Sequence, residues 1–280
     1  MIRERNRLSL AEVQAISLIG LKTLTQNLER EGINYYLSYG TLIGAIRHQG
    51  FIPWDDDIDL LVPRKDYVKM IGISDRIDDT DWELMSYEGT NGYALPWAKY
   101  CNKSTIVYPS RFCSGLLYGC SIDIFPLDFI DADTYDDAIS ICDDISSKYQ
   151  TMYRHYKPTG ILRTGIVSSV KRPLKAVRHN IINMLEGNWT TRLTELDQYI
   201  SSKTKNEAQY AAYVLDTTSH PWPISWFDNG NGPSIVMFSG LELRAPYDYD
   251  SLLREYYGDY MTPPQVDDRV GHCYKGIYRK

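Results

Sequence analysis

Along Ser9 to Glu31 the apolar side chains Leu10, Val13, Ile16, Leu21, Leu24 and Leu28 recur at intervals of three to five residues. Ser9 and Glu12 stand at capping-box spacing, so the pattern predicts an amphipathic helix ended by Gly32. Ile33 to Tyr39 then reads as a short strand, and Gly40 and Thr41 open a brief helical pattern, TLIGAIRH. A loop carrying Gly50 and Pro53 leads to Ile58 to Val62, an apolar run of strand length stopped by Pro63. Asp66 to Ile73 reads as a helix. Further strands are expected at Gly119 to Leu127, Tyr210 to Leu215 and Ser234 to Phe238. Helices are expected at Asp133 to Tyr156, Trp189 to Ser202 and Ser251 to Tyr257. The alternation points to a mixed α/β fold of the α+β kind, a small sheet flanked by helices, with a helical insertion or a C-terminal helical layer.

Composition narrows the class. With 43% hydrophobic and 24% charged residues the 280-residue chain is that of a folded globular protein. A net charge of −6 argues against a general nucleic-acid binder, which must neutralise a phosphate backbone. Cys101, Cys113, Cys120, Cys142 and Cys273 form no CxxC pair, so no structural zinc site is expected. An odd, scattered set fits a reducing compartment, and the cytoplasm is the simplest reading. Glu12 and Gln14 interrupt the apolar part of the N-terminal segment, against a signal peptide, and no stretch has the length needed to span a bilayer.

Charge is segregated in the middle of the chain. Between Arg111 and Lys148 every charged side chain is an aspartate, and from Lys148 to Arg178 every one is Lys or Arg. Two solvated helical faces that complement one another are the economical explanation. The alternative is a basic segment lying peripherally on an anionic membrane, for which the apolar spacing between Gly160 and Leu185 is suited.

The chemistry concentrates between Tyr39 and Asp59. Side chains two apart on a strand point the same way, so Asp57 and Asp59 project together while Ile58 packs inward. Converging carboxylates need a cation, and hard oxygen donors suit Mg²⁺ or Mn²⁺ better than zinc. Asp55 and Asp56 are assigned supporting roles in a turn. Upstream, Gly40 permits close backbone approach and Thr41 offers a hydroxyl at a helix start, a turn suited to phosphate or simply an N-cap. Arg47 and His48 follow, either to grip a phosphate and donate a hydrogen bond or to cap the helix C-terminus. Trp54 is a core plug or a stacking surface. The 23 tyrosines suit sugar faces and quaternary ammonium groups, or half-buried strand positions.

The run YGTLIGAIRHQGFIPWDDDIDLLVPRKDY, from Tyr39 to Tyr67, resembles the signature of the LicD family within the polymerase-β-like nucleotidyltransferases. Ile122 to Asp128 (IDIFPLD) resembles that family's downstream carboxylate motif, and Tyr257 to Pro264 (YGDYMTPP) its C-terminal block. The resemblance implies a sheet of the nucleotidyltransferase type. It implies a catalytic core over 1–130, a helical insertion over 131–206 and a part completing the core over 207–280. It further implies that Asp57, Asp59 and Asp123 hold the catalytic metal, with Asp123 as ligand, as base for the acceptor hydroxyl, or as both. Lys99 resembles a family lysine and is expected on phosphate, as are Gly40, Thr41, Arg47 and His48. Asp128 is expected to cap the next segment, and His272 to be structural.

The implied activity is transfer of a phospho-alcohol, phosphocholine foremost, from a CDP-linked alcohol donor to a hydroxyl of a cell-surface glycan or its lipid-linked precursor. This would take place in the cytoplasm or at the inner membrane face. Nucleotidyl transfer to a sugar phosphate or small alcohol uses the same carboxylates and stays open. A non-catalytic binding protein of this fold is the third reading, against which all three aspartates are present.

Overall fold

A computed structural model of the chain describes residues 6–109, 116–156, 189–205, 208–215, 220–269 and 274–280. The basic segment between Gly160 and Leu185, together with Cys113, His272 and Cys273, lies outside them.

Helix α1 (Leu10–Arg30) forms as its pattern predicts, with both halves of the capping box made: Glu12 N donates to Ser9 Oγ at 3.3 Å and Ser9 N to Glu12 Oε2 at 2.9 Å. Its buried stripe of Leu21, Leu24 and Leu28 covers the central sheet, while Val13 packs in a smaller cluster with Val107 and Ile277. That sheet runs β1 (Tyr36–Leu37), β2 (Ile58–Pro63), β6 (Ser121–Ile130), β4 (Ala98–Asn102), β3 (Trp82–Met85). Only β2 and β6 are parallel; the other neighbours are antiparallel. β7 (Tyr210–Ala212) continues the antiparallel side of β6 beyond β4, and β8 (Trp222–Pro223) pairs with β7. A second small sheet joins β5 (Thr105–Pro109) to β11 (Tyr274–Arg279). The hairpin β9 (Ser234–Phe238) and β10 (Leu241–Ala245) turns on Ser239 and Gly240, both with positive φ as a two-residue hairpin loop requires.

Helices α2 (Tyr39–His48), α3 (Arg64–Gly72) and α4 (Ser74–Ile77) follow β1 and β2, and α5 (Tyr135–Tyr156) packs on α6 (Trp189–Ser201) beside β7. Helix α7 (Tyr249–Tyr257) follows the hairpin. The fold is mixed α and β, as the pattern implied. Among the described residues no helix is long and apolar enough to cross a membrane.

Several expectations are corrected. The first strand is two residues long, because Tyr39 already adopts φ +46° and the helix starts there, with Ser38 at the N-cap position expected of Thr41. The strand expected to end at Leu127 continues to Ile130 through Pro126. On its antiparallel side β6 meets β4 up to Ile124 and β7 from Asp128 onward, so Pro126 lies in the gap between them, where a missing N–H is tolerated. Asp128 is therefore no cap. Fully buried in β6, it is bridged by Arg64 through Nε at 2.8 Å and Nη2 at 2.9 Å, while Arg64 Nη1 reaches Asp197 of α6 at 2.8 Å.

Candidate active site

The parallel ladder sets Asp59 of β2 opposite Asp123 of β6, and the antiparallel ladder sets Lys99 of β4 opposite the same Asp123. Residues directly opposite on neighbouring strands share a face, so the three side chains form one row across the sheet. Lys99 is buried and its ammonium sits on Asp123 Oδ1, with the face of Tyr118 at 5.0 Å. Trp97 Nε1 donates to Asp123 Oδ2 at 3.2 Å. This indole was not singled out in the sequence, where it is one aromatic among many.

The acidic loop stands against the end of this row. One carboxylate oxygen each from Asp55, Asp56 and Asp57 lies within 4.8 Å of the others, which among the described residues is the tightest acidic set. Asp55 and Asp56, expected only in support, are thus gathered with Asp57 more closely than Asp59 and Asp123 are. The loop is pinned from α1, where Gln14 Nε2 donates to the Asp55 carbonyl at 2.8 Å, and from within, where Asp55 N donates to the Ile52 carbonyl at 2.9 Å. Burial, and then the charges of Asp57, Asp123 and Asp55, push the Asp59 carboxyl well above the usual carboxylate range, with Lys99 the opposing charge. Hard oxygen donors gathered in this way are chemically what a divalent cation fits.

Thr41 and Gly40 serve this arrangement from α2. The Thr41 hydroxyl accepts from Asp59 N at 2.8 Å, so it holds the start of β2 instead of standing open at a helix N-terminus. A Cβ on Gly40 would fall 2.7 Å from Asp55 Oδ2, so glycine lets the carboxylate approach the helix. Lys99, expected on phosphate, has its ammonium on Asp123.

Arg47 and His48 stay together at the far end of α2. Arg47 donates through Nε to His48 Nε2 at 2.9 Å and through Nη1 to the Tyr260 carbonyl at 2.5 Å. Burial and the Arg269 charge lower the Arg47 guanidinium, and burial and Arg47 lower His48. Trp54 packs partly on the core, with the His48 ring at 6.4 Å edge-on and the Arg269 guanidinium 4.6 Å over its face. Along the sheet face beyond Asp123, Phe125 meets Tyr39 at 5.7 Å, Trp97 at 5.4 Å and Tyr213 at 4.9 Å, an aromatic wall beside the carboxylates.

An acidic centre on a mixed sheet, rimmed by arginines and aromatic rings, has the makings of an enzyme that handles phosphate esters, and comparison with known proteins gives its class as a phosphotransferase. Residues 32–157 match the family model described as LicD/FKTN/FKRP, nucleotidyltransferase domain. The lipopolysaccharide cholinephosphotransferase LicD of Haemophilus influenzae is 27% identical over 285 aligned positions, covering 97% of this chain and 98% of that protein. The ribitol 5-phosphate transferase FKRP of human is 54% identical over 33 residues, which are 12% of this chain and 7% of that protein; the mouse protein matches equally. Over residues 32–157, and more weakly along nearly its whole length, the chain is similar to members of the LicD family.

Proposed function

We propose that the chain moves a phospho-alcohol, phosphocholine foremost, from a CDP-linked donor to a hydroxyl of a cell-surface glycan or its lipid-linked precursor. The fold is read as that of a nucleotidyltransferase, working in the cytoplasm or at the inner membrane face. The observation that carries the reading is the row Asp59, Asp123, Lys99 with the Asp55 to Asp57 loop at its end, a gathering of hard oxygen donors at one place on the sheet. Near full-length similarity to a cholinephosphotransferase supports the choice of group.

Asp57, Asp59 and Asp123 would hold Mg²⁺ or Mn²⁺, with Asp55 and Asp56 in reach of the same ion. When bound, such an ion offsets the charge of the diphosphate and of the departing CMP. The chain's own part is positional. Asp123, fixed by Lys99 and Trp97, accepts a hydrogen bond from the acceptor hydroxyl and aims its oxygen at the alcohol-bearing phosphorus. The new bond joins that oxygen to phosphorus, the bridging P–O bond to CMP breaks, and the hydroxyl proton leaves through the carboxylate to solvent. The Gly40 turn sets the acidic loop close to α2, and the Thr41 hydroxyl fixes where Asp59 begins its strand.

The test is incubation with CDP-choline, CDP-ethanolamine, CDP-glycerol and CDP-ribitol together with a glycan acceptor, following CMP release. Release is expected to need the divalent ion and to be greatest with CDP-choline. Asp57→Asn, Asp59→Asn and Asp123→Asn are each expected to lower it by about a hundredfold or more with unchanged circular dichroism. Transfer of the nucleotide itself to the acceptor, or near-parental CMP release from the aspartate variants, would overturn the reading.

A further inference from the structure

Around the acidic centre most positive charge is already committed. Lys99 is engaged by Asp123, and Arg64 by Asp128 and Asp197. Arg47 and Arg269 differ. Their hydrogen bonds run to His48 and to the backbone carbonyls of Tyr260 and Pro264, and among the described residues neither forms an ion pair. Both are held by the C-terminal block, which the sequence singled out and the chemistry above leaves unused. Tyr260 is anchored to α7 by its hydroxyl on Asp250 at 2.7 Å, and the turn Val266–Asp268 brings Arg269 back over Trp54.

Two cations brought together repel one another, and the lowered Arg47 guanidinium reflects burial and then that neighbour. The arrangement persists because carbonyls and an aromatic face fix each planar group. Both guanidiniums keep N–H groups to spare, Arg269 directly over the ring of Trp54, the residue that precedes the acidic loop. A guanidinium pair of this kind matches the paired oxygens of a phosphate.

We infer that Arg47 and Arg269 form a clamp for the diphosphate of the nucleotide donor, on the Trp54 side of the acidic loop. The inference rests on the donor being a nucleoside diphosphate ester. It assigns to the C-terminal block the task of delivering Arg269, and it moves the phosphate grip from Lys99, which the sheet already uses, to two arginines from opposite ends of the chain.

The experiment is calorimetric titration of the full chain, in the presence of Mg²⁺, with CDP, with pyrophosphate and with inorganic phosphate. Arg269→Ala is expected to weaken CDP and pyrophosphate by about tenfold or more, the equivalent of one lost charge-assisted contact. Arg47→Ala should do the same, and Arg269→Lys, which keeps charge but not the fork, should fall between parent and Ala. Inorganic phosphate, too short to engage both arginines and the metal centre, should bind more weakly than pyrophosphate. Arg76→Ala removes an exposed cation elsewhere and should leave all three unchanged.

Arg269 is exposed, so its variants keep a folded control in circular dichroism. Parental affinity in Arg269→Ala, absence of pyrophosphate binding to the parent, or equal weakening by Arg76→Ala would overturn the clamp. CMP release by Arg269→Ala at the parental KM would overturn the clamp and leave the transferase reading standing. Anion binding lost in Arg269→Ala, with no CMP release by the parent from any donor, would do the reverse.

Discussion

Asp59 and Asp123 stand at the same level of the one parallel ladder in the central sheet, and the ammonium that balances Asp123 comes from the strand on its other side. A parallel pair brings the starts of two strands together, so the loop before β2, with Asp55 to Asp57, opens beside Asp123 without any further bend of the chain. The gathering of carboxylates is a consequence of topology as much as of composition.

Lys99→Met tests the balance. The Lys99 side chain is 5% exposed and that of Asp123 15%, so removing the ammonium leaves a poorly hydrated carboxylate beside Asp59. Loss of one partner of such a pair is expected to cost about 3 to 5 kcal/mol in urea denaturation. Divalent cation should then raise the melting temperature of Lys99→Met by more than that of the parent, because the ion takes over the missing charge. An equal or smaller rise would mean that Lys99 and the metal do not share the same carboxylates.

What the sequence made legible follows from periodicity. Helix α1 could be read because its stripe and capping box are local, and the strand carrying Asp59 because the apolar run from Ile58 marks it; Asp57, expected on the same strand, lies just before β2 in the acidic loop. Strand β4 could not be read, since all five of its residues are buried and no alternation survives, which is also why Lys99 is set on phosphate by resemblance and not beside Asp123 by pattern. Asp128 was mistaken for a cap because Pro126 looks like a strand end until the change of neighbour from β4 to β7 is known. The stacking of Arg269 on Trp54 joins distant parts of the chain and leaves no local signal.

Two glycines of α2 should behave differently when replaced by alanine. At Gly44 the new Cβ would lie 2.4 Å from the Gly50 carbonyl oxygen, a backbone atom that cannot swing away, whereas at Gly40 it meets the movable Asp55 carboxylate at 2.7 Å. Alanine gains about 1 kcal/mol of helix propensity at either position. For Gly44→Ala the collision should outweigh that gain and cost about 1 to 3 kcal/mol net. Gly40→Ala should be close to neutral in stability yet weaken Mg²⁺ binding severalfold, since Asp55 must leave its place. Calorimetric titration with Mg²⁺ alongside urea denaturation reads the two effects separately, and unchanged Mg²⁺ affinity in Gly40→Ala would remove Asp55 from the metal's surroundings.

The last expectation concerns the tie between the sheet and the helical layer. Arg64, at the start of α3, bridges Asp128 in β6 and Asp197 in α6, so one guanidinium joins three elements. Burial opposes its charge, but Asp128, by charge and hydrogen bond, together with Asp197, outweighs that penalty and holds the guanidinium above its ordinary value. The two carboxylates are not equivalent: the Asp128 side chain is fully buried, while that of Asp197 is 33% exposed and can be rehydrated. Asp128→Asn should therefore cost about 3 to 5 kcal/mol, and Asp197→Asn no more than about 1 kcal/mol. In Arg64→Met with Asp128→Leu both buried charges are gone, and most of the loss should be recovered. Urea denaturation of the four proteins checks the order. If Asp197→Asn costs as much as Asp128→Asn, the helical layer depends on this ion pair for its docking, and the apolar contacts of Leu193, Leu196 and Ile200 do not hold it alone.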